Sequence, residues 1–128
     1  MSTDRIRVAA ANEVDKARAR ARQIVEDIEV ALKALSALED EYPDIAGRVL
    51  SLNTSPCINM GLHVDDFLAL AEDVGGLPCV SFEVLGQFSV GSIRWRGAKF
   101  QAVGEAQLWA VHGVQVETET TVRVSLLT

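Results

Sequence analysis

Between Thr3 and Tyr42 the sequence contains neither glycine nor proline, so nothing in that stretch bends or stops a helix. Cysteine is scarce, with Cys57 and Cys79 the only two in 128 residues. A small secreted scaffold held by disulfides usually carries more, which disfavours that class. A single Cys57–Cys79 bridge stays open, because spacing along the chain does not set the distance between the two Cα atoms. Long apolar runs are missing too, and with them any membrane-spanning helix. No apolar signal core follows Asp4, Arg5 and Arg7, so the expected compartment is the cytoplasm, with reduced thiols. Positive charge is in deficit: 12 basic side chains face 18 acidic ones, for a net charge of −6. Such a surface repels phosphate, which disfavours direct binding to nucleic acids and to anionic membranes.

What is present begins with balance. A hydrophobic fraction of 48% and a charged fraction of 23% are those of an ordinary globular chain. The nine arginines against three lysines and the abundance of alanine are the bias of a high-GC genome, such as that of an actinobacterium or its phage. The glycine-free stretch is rich in alanine, arginine, glutamate and leucine, all good helix formers. Ser2 or Thr3 can cap its start and Pro43 ends it.

Apolar residues recur in this helix at alternating steps of three and four. Val14, Ala21, Ile28, Leu35 and Tyr42 form one series, and Ala17, Ile24, Ala31 and Leu38 the other. That is a heptad pattern, with Val25 and Leu32 widening one flank as in a helix with more than one neighbour. At about 38 residues the helix is roughly 57 Å long. The remaining chain makes a globule roughly 30 Å across, too small to cover it. The charges are polarised as well. Residues 4–22 carry six basic against three acidic side chains, net +3, and residues 26–44 carry one against seven, net −6. This opposes the helix macrodipole, and an antiparallel pairing of two copies would turn the defect into complementarity. One register sets Ala21 against the partner's Leu38, Ile28 against Ala31, Ile24 against Leu35 and Ala17 against Tyr42. Arg18 then flanks Glu39, and Arg20 flanks Glu41. These thirteen residues are the expected oligomer interface. The competing expectation is a helix that folds back on its own sheet.

Beyond Pro43 the chain reads as a small domain, giving a division into residues 1–44, a helical oligomerisation segment, and 45–128, an α+β unit. A strand over Val49–Asn53, a turn at Thr54-Ser55-Pro56 and a strand within Cys57–Val64 precede a helix over Asp65–Val74, which Gly75-Gly76 ends. Strands follow at Val80–Val84, Gln87–Trp95 and Lys99–Val103, the last two joined at Gly97 as a hairpin. Leu108–Val111 reads as a further strand, joined through a two-residue turn at His112-Gly113 to the final one, in which Val114, Val116, Val122, Val124 and Leu126 alternate with polar residues. The expected fold is thus α+β: the long helix, then an antiparallel sheet of four or five strands with one short helix packed on it. The run Ile58–Ala71, followed by Gly91-Ser92-Ile93-Arg94-Trp95-Arg96-Gly97, resembles small proteins of actinobacteria and their phages that have a strand–helix unit before a Trp-Arg-Gly hairpin. The resemblance spans about the middle third of the chain and implies no activity, so no site is carried over.

Few residues suggest chemistry. Cys57, His63, Cys79 and His112 lack the close pairs that mark a zinc site. No glycine-flanked nucleophile turn or phosphate loop accompanies Cys57, Cys79 or Asp65, and Asp65 and Asp66 suit a first helical turn. Glu117 and Glu119 suit a solvent-facing strand. Arg94, Arg96 and Lys99 form the one compact basic cluster outside the helix and are a candidate partner contact, with Trp95 turned to the core. The arginines of Ala17–Arg22 spread around the helix instead of forming a stripe. No catalytic residue, metal or cofactor is expected. The function expected is a non-enzymatic homo-oligomeric interaction module, an accessory protein of an actinobacterium or phage that binds itself and a further protein. The alternatives are an acidic inhibitor of a nucleic-acid-handling protein and a small-ligand-binding domain.

Overall fold

A computed structural model of the chain describes residues 2–54 and 57–116. Helix α1 runs from Ser2 to Glu41, 40 residues and about 60 Å. It stops where the chain meets Pro43: Tyr42 leaves helical geometry at φ −137° and ψ 65°, and Pro43 opens the four-residue helix α2, Pro43–Ala46. Residues 3–26 of α1 are exposed on all sides. Contact with the rest of the chain starts at Asp27, and Ala31, Ala34 and Leu38 are fully buried. The expectation of a helix that folds back on its own sheet therefore holds for the last turns of α1, while its first half is exposed. The core also runs across the boundary expected at residue 44, because these three side chains belong to the same cluster as Phe67, Trp95 and Phe100.

The fold is α+β, with strands β1 (Ser51–Asn53), β2 (Asn59–Gly61), β3 (Ser81–Leu85), β4 (Phe88–Trp95) and β5 (Ala98–Glu105) and helices α3 (Val64–Glu72) and α4 (Ala106–Val111). The strand order is β1-β2-β5-β4-β3. All neighbours are antiparallel except β2 and β5, which run parallel through Met60↔Phe100. The sheet is thus mixed, not wholly antiparallel. Alternation marks a strand but not its neighbour's direction, and β2 and β5 are separated in sequence by α3, β3 and β4.

A second correction concerns Leu108–Val111. It lies in helix α4, not in a strand, and His112-Gly113 closes that helix instead of forming a hairpin. Gly113 takes φ 84°, its N–H donates to the Ala110 carbonyl at 3.0 Å, and the Val114 N–H donates to the Trp109 carbonyl at 2.9 Å. The cause is Trp109, fully buried, which α4 carries onto the sheet against Phe67 and Phe82. Room for that indole comes from Gly91 on β4, where an added Cβ would lie 2.9 Å from Trp109 Cη2 and 3.1 Å from Phe67 Cε2. The Trp109 indole N–H donates to the Ser89 carbonyl at 3.0 Å. Of the final strand expected from Val114, residues 114–116 are not in a strand and residues 117–128, with Glu117 and Glu119, lie outside the described residues. Part of the Thr54-Ser55-Pro56 turn lies outside them as well. Among the described residues no helix is long and apolar enough to cross a membrane.

Candidate interaction surface

The end of α1 is fastened to the β4–β5 hairpin. Trp95 is buried, and its indole N–H donates to Asp73 Oδ2 at 2.7 Å just past the end of α3. The Tyr42 ring meets the Trp95 ring edge-on, with centroids 6.2 Å apart. Arg96 and Gly97 form the two-residue turn, both with positive φ, 53° and 81°. From that turn Arg96 donates to the Glu41 carboxylate at 2.6 Å, and its guanidinium sits 5.2 Å from the centre of the Trp95 ring. Burial raises the Tyr42 phenol above its ordinary value, and the negative charge of Asp73 adds to the effect. A further tie fixes the other side of the domain: Arg48 grips the buried Asp66 with two hydrogen bonds of 2.8 and 3.0 Å. Asp66 is therefore more than the first-turn acid its position suggests.

Held at one end, α1 projects its first 25 or so residues, about 37 Å, away from the domain. At about 100° per residue, Asp27, Ala31, Ala34 and Leu38 mark the face turned to the globule. Val14, Ala21, Val25, Ile28 and Leu32 mark another, about 100° round the axis. The second face is largely open, with Val14 48%, Val25 54% and Leu32 53% exposed. Its line continues past the half-buried Leu35 into a shallow groove of about 430 Å³ lined by Leu35, Glu39, Pro43, Ala46 and Gly47.

The expected interface residues divide accordingly. Val14, Ala17, Ala21 and Ile24 are exposed, as are Arg18, Arg20 and Glu39. Ile28 and Leu35 are half-buried. Ala31 and Leu38, at 4% and 0% exposure, lie in the chain's own core. Tyr42 packs on Trp95, and Glu41 is engaged by Arg96. The register that needs Leu38 and Ala31 as layers against a second copy is thereby excluded, because both are already covered. A heptad count records that a position is apolar and not which of two neighbours covers it. The flank residues Val25 and Leu32 were the one signal of a second face.

The three basic residues expected to share a partner contact are also separated. Arg96 turns to Glu41, whereas Arg94 and Lys99 oppose each other across β4 and β5. With Asp27, Val30 and Cys57 they line a small cleft of about 130 Å³ beside α1, in which Lys99 Nζ lies 3.6 Å from Cys57 Sγ. Cys57 and Cys79 are both free and exposed. Among the described residues, no three histidine, cysteine or acidic side chains come together as metal ligands would. The sheet face away from the helices is an open depression of about 490 Å³, with Leu85, Phe88, Val90 and Val103 beside Glu83, Gln101 and Lys99. Compared with protein-family models, curated proteins and solved structures, the chain matches none.

Proposed function

We propose that this protein is a non-enzymatic, self-associating protein–protein interaction module, with α1 as the assembly element and the small α+β domain as the part it presents. The observation that carries this reading is the first half of α1, which holds an exposed apolar row that none of the described residues covers. Helices draw most of their stability from packing an amphipathic face, so a row of this length calls for a partner. Charge favours a second copy in antiparallel orientation, since the basic first half of α1 complements its acidic second half. The polar groups of the interior support a structural role. Asp66 and Asn59 are engaged with Arg48 and Asn53, and the buried Trp95 indole donates to the exposed Asp73. Among the described residues no fully buried side-chain nitrogen or oxygen lacks a hydrogen-bond partner. The sequence resemblance and the high-GC composition suggest an accessory protein in the cytoplasm of an actinobacterium, its own or that of an infecting phage. The depression on the open sheet face is the surface offered to a further protein.

The test is the solution mass by light scattering after size exclusion. The chain is 13.9 kDa, and twice that mass is expected. A monomer at every accessible concentration would overturn self-association.

A further inference from the structure

We infer that a second copy docks along the Val14–Leu32 face of α1 in one particular antiparallel register, with its first turns entering the groove beside α2. This rests on the self-association proposed above and specifies its surface. Ala31 and Leu38 are covered in cis, so the layers must come from the open face. The matching alignment sets Val14 against the partner's Leu35, Ala17 against the partner's Leu32, Ala21 against the partner's Ile28, and Ile24 against the partner's Val25, on both sides of the twofold axis. Two of these four layers oppose an alanine to a large aliphatic residue, which lets the helix axes approach closely.

Two further observations fit the same alignment. The first is charge. In an antiparallel pair related by a twofold axis, residues on one flank meet residues of the same flank. Arg18 and Arg22 share a flank with Glu29, and each comes within about one turn of the partner's Glu29. On that flank Arg7 reaches the partner's Asp40, and Asp15 the partner's Lys33. Lys16 and Lys33 are level in this alignment but lie on opposite flanks, so the like charges stay apart.

The second is shape. The same alignment carries Ile6 to the partner's Pro43 and Ala10 to the partner's Glu39. The exposed Ile6, 67% accessible in the single chain, thereby enters the groove lined by Leu35, Pro43, Ala46 and Gly47. Leu35 joins the line of the open face to the groove.

Disulfide trapping tests the register. In a Cys57→Ser/Cys79→Ser background, one chain carries Ala17→Cys and another Leu32→Cys. Both sites are exposed in the single chain, so neither change disturbs the core, and unchanged helical circular dichroism confirms that each variant folds. Mild oxidation of the mixture is expected to give a covalent heterodimer, while each variant alone gives almost none. The two copies of residue 17 would be about 22 Å apart along the axis, against the 7 Å or less that a disulfide spans. Trapping of each variant with itself would mean parallel helices and would overturn the proposal. So would a dimeric mass without heterodimer trapping, which means another register while self-association stands. A monomeric mass would remove both readings together.

Discussion

Tyr42 is the only tyrosine in the chain, so its titration is read directly from phenolate absorbance. Burial against Trp95 and the nearby Asp73 charge both favour the neutral phenol. A group whose folded value is raised stabilises the fold fully below its unfolded value, and that contribution is lost as pH rises through the folded value. The midpoint is therefore expected above 10.0, with stability falling on the alkaline side. Asp73→Asn is expected to lower the midpoint without restoring the ordinary value, because burial is the larger cause. An unchanged midpoint in that variant would place the Asp73 charge outside the effect. Gly91 has a steric role: Gly91→Ala would press a Cβ into Trp109 and Phe67. A loss of about 1–3 kcal/mol in urea unfolding is expected, and a neutral result would mean that the two rings shift freely. Arg96 balances opposing effects. Its left-handed backbone costs about 1–2 kcal/mol, and its half-exposed ion pair with Glu41 returns at most about 1 kcal/mol. Arg96→Asn, which tolerates that backbone, should leave stability within about 1 kcal/mol in the same assay.

At the scale of the element, α1 carries two faces in different surroundings. Two leucines less than two turns apart separate them: Leu38 is 0% exposed and Leu32 is 53% exposed. Leu38→Ala should cost about 2–5 kcal/mol by opening a cavity beneath the helix. Leu32→Ala should leave urea unfolding of the dilute single chain almost unchanged and weaken the dimer in light scattering. Equal effects of the two substitutions on unfolding would mean that the helix has a single buried face. The heptad series was legible from the sequence because periodicity survives whichever neighbour covers it. The partition between neighbours was not, since Ala31 and Ala17 are the same residue at equivalent heptad positions, one buried and one exposed. Helix α4 escaped the sequence reading for a related reason. Leu108–Val111 is too short for a period to declare itself, and the fit of Trp109 over Gly91 decided the outcome.

At the scale of the whole molecule, the proposed pairing of two α1 helices would combine apolar layers with charge pairs on their flanks. The charge pairs are exposed and each worth about 0.2–1 kcal/mol, so in that pairing they would set orientation while the apolar layers supply the strength. Raising the ionic strength should weaken the dimer by about tenfold without dissolving it, as read from mass against concentration. Complete dissociation would assign the energy to charge and not to the apolar layers. No change at all would remove the electrostatic argument for the antiparallel direction.

The sequence by itself determined the long helix, the class of the fold, the β4–β5 hairpin and the charge polarity of α1. Those features are local: they follow from residue type and spacing within one segment. Only the tertiary structure decided the parallel pairing of β2 with β5, the helical state of α4, the capture of Asp66 by Arg48, and which half of α1 is left open. Each of these joins residues far apart in the chain, and the energy that selects them is packing at the meeting point, which no single segment contains.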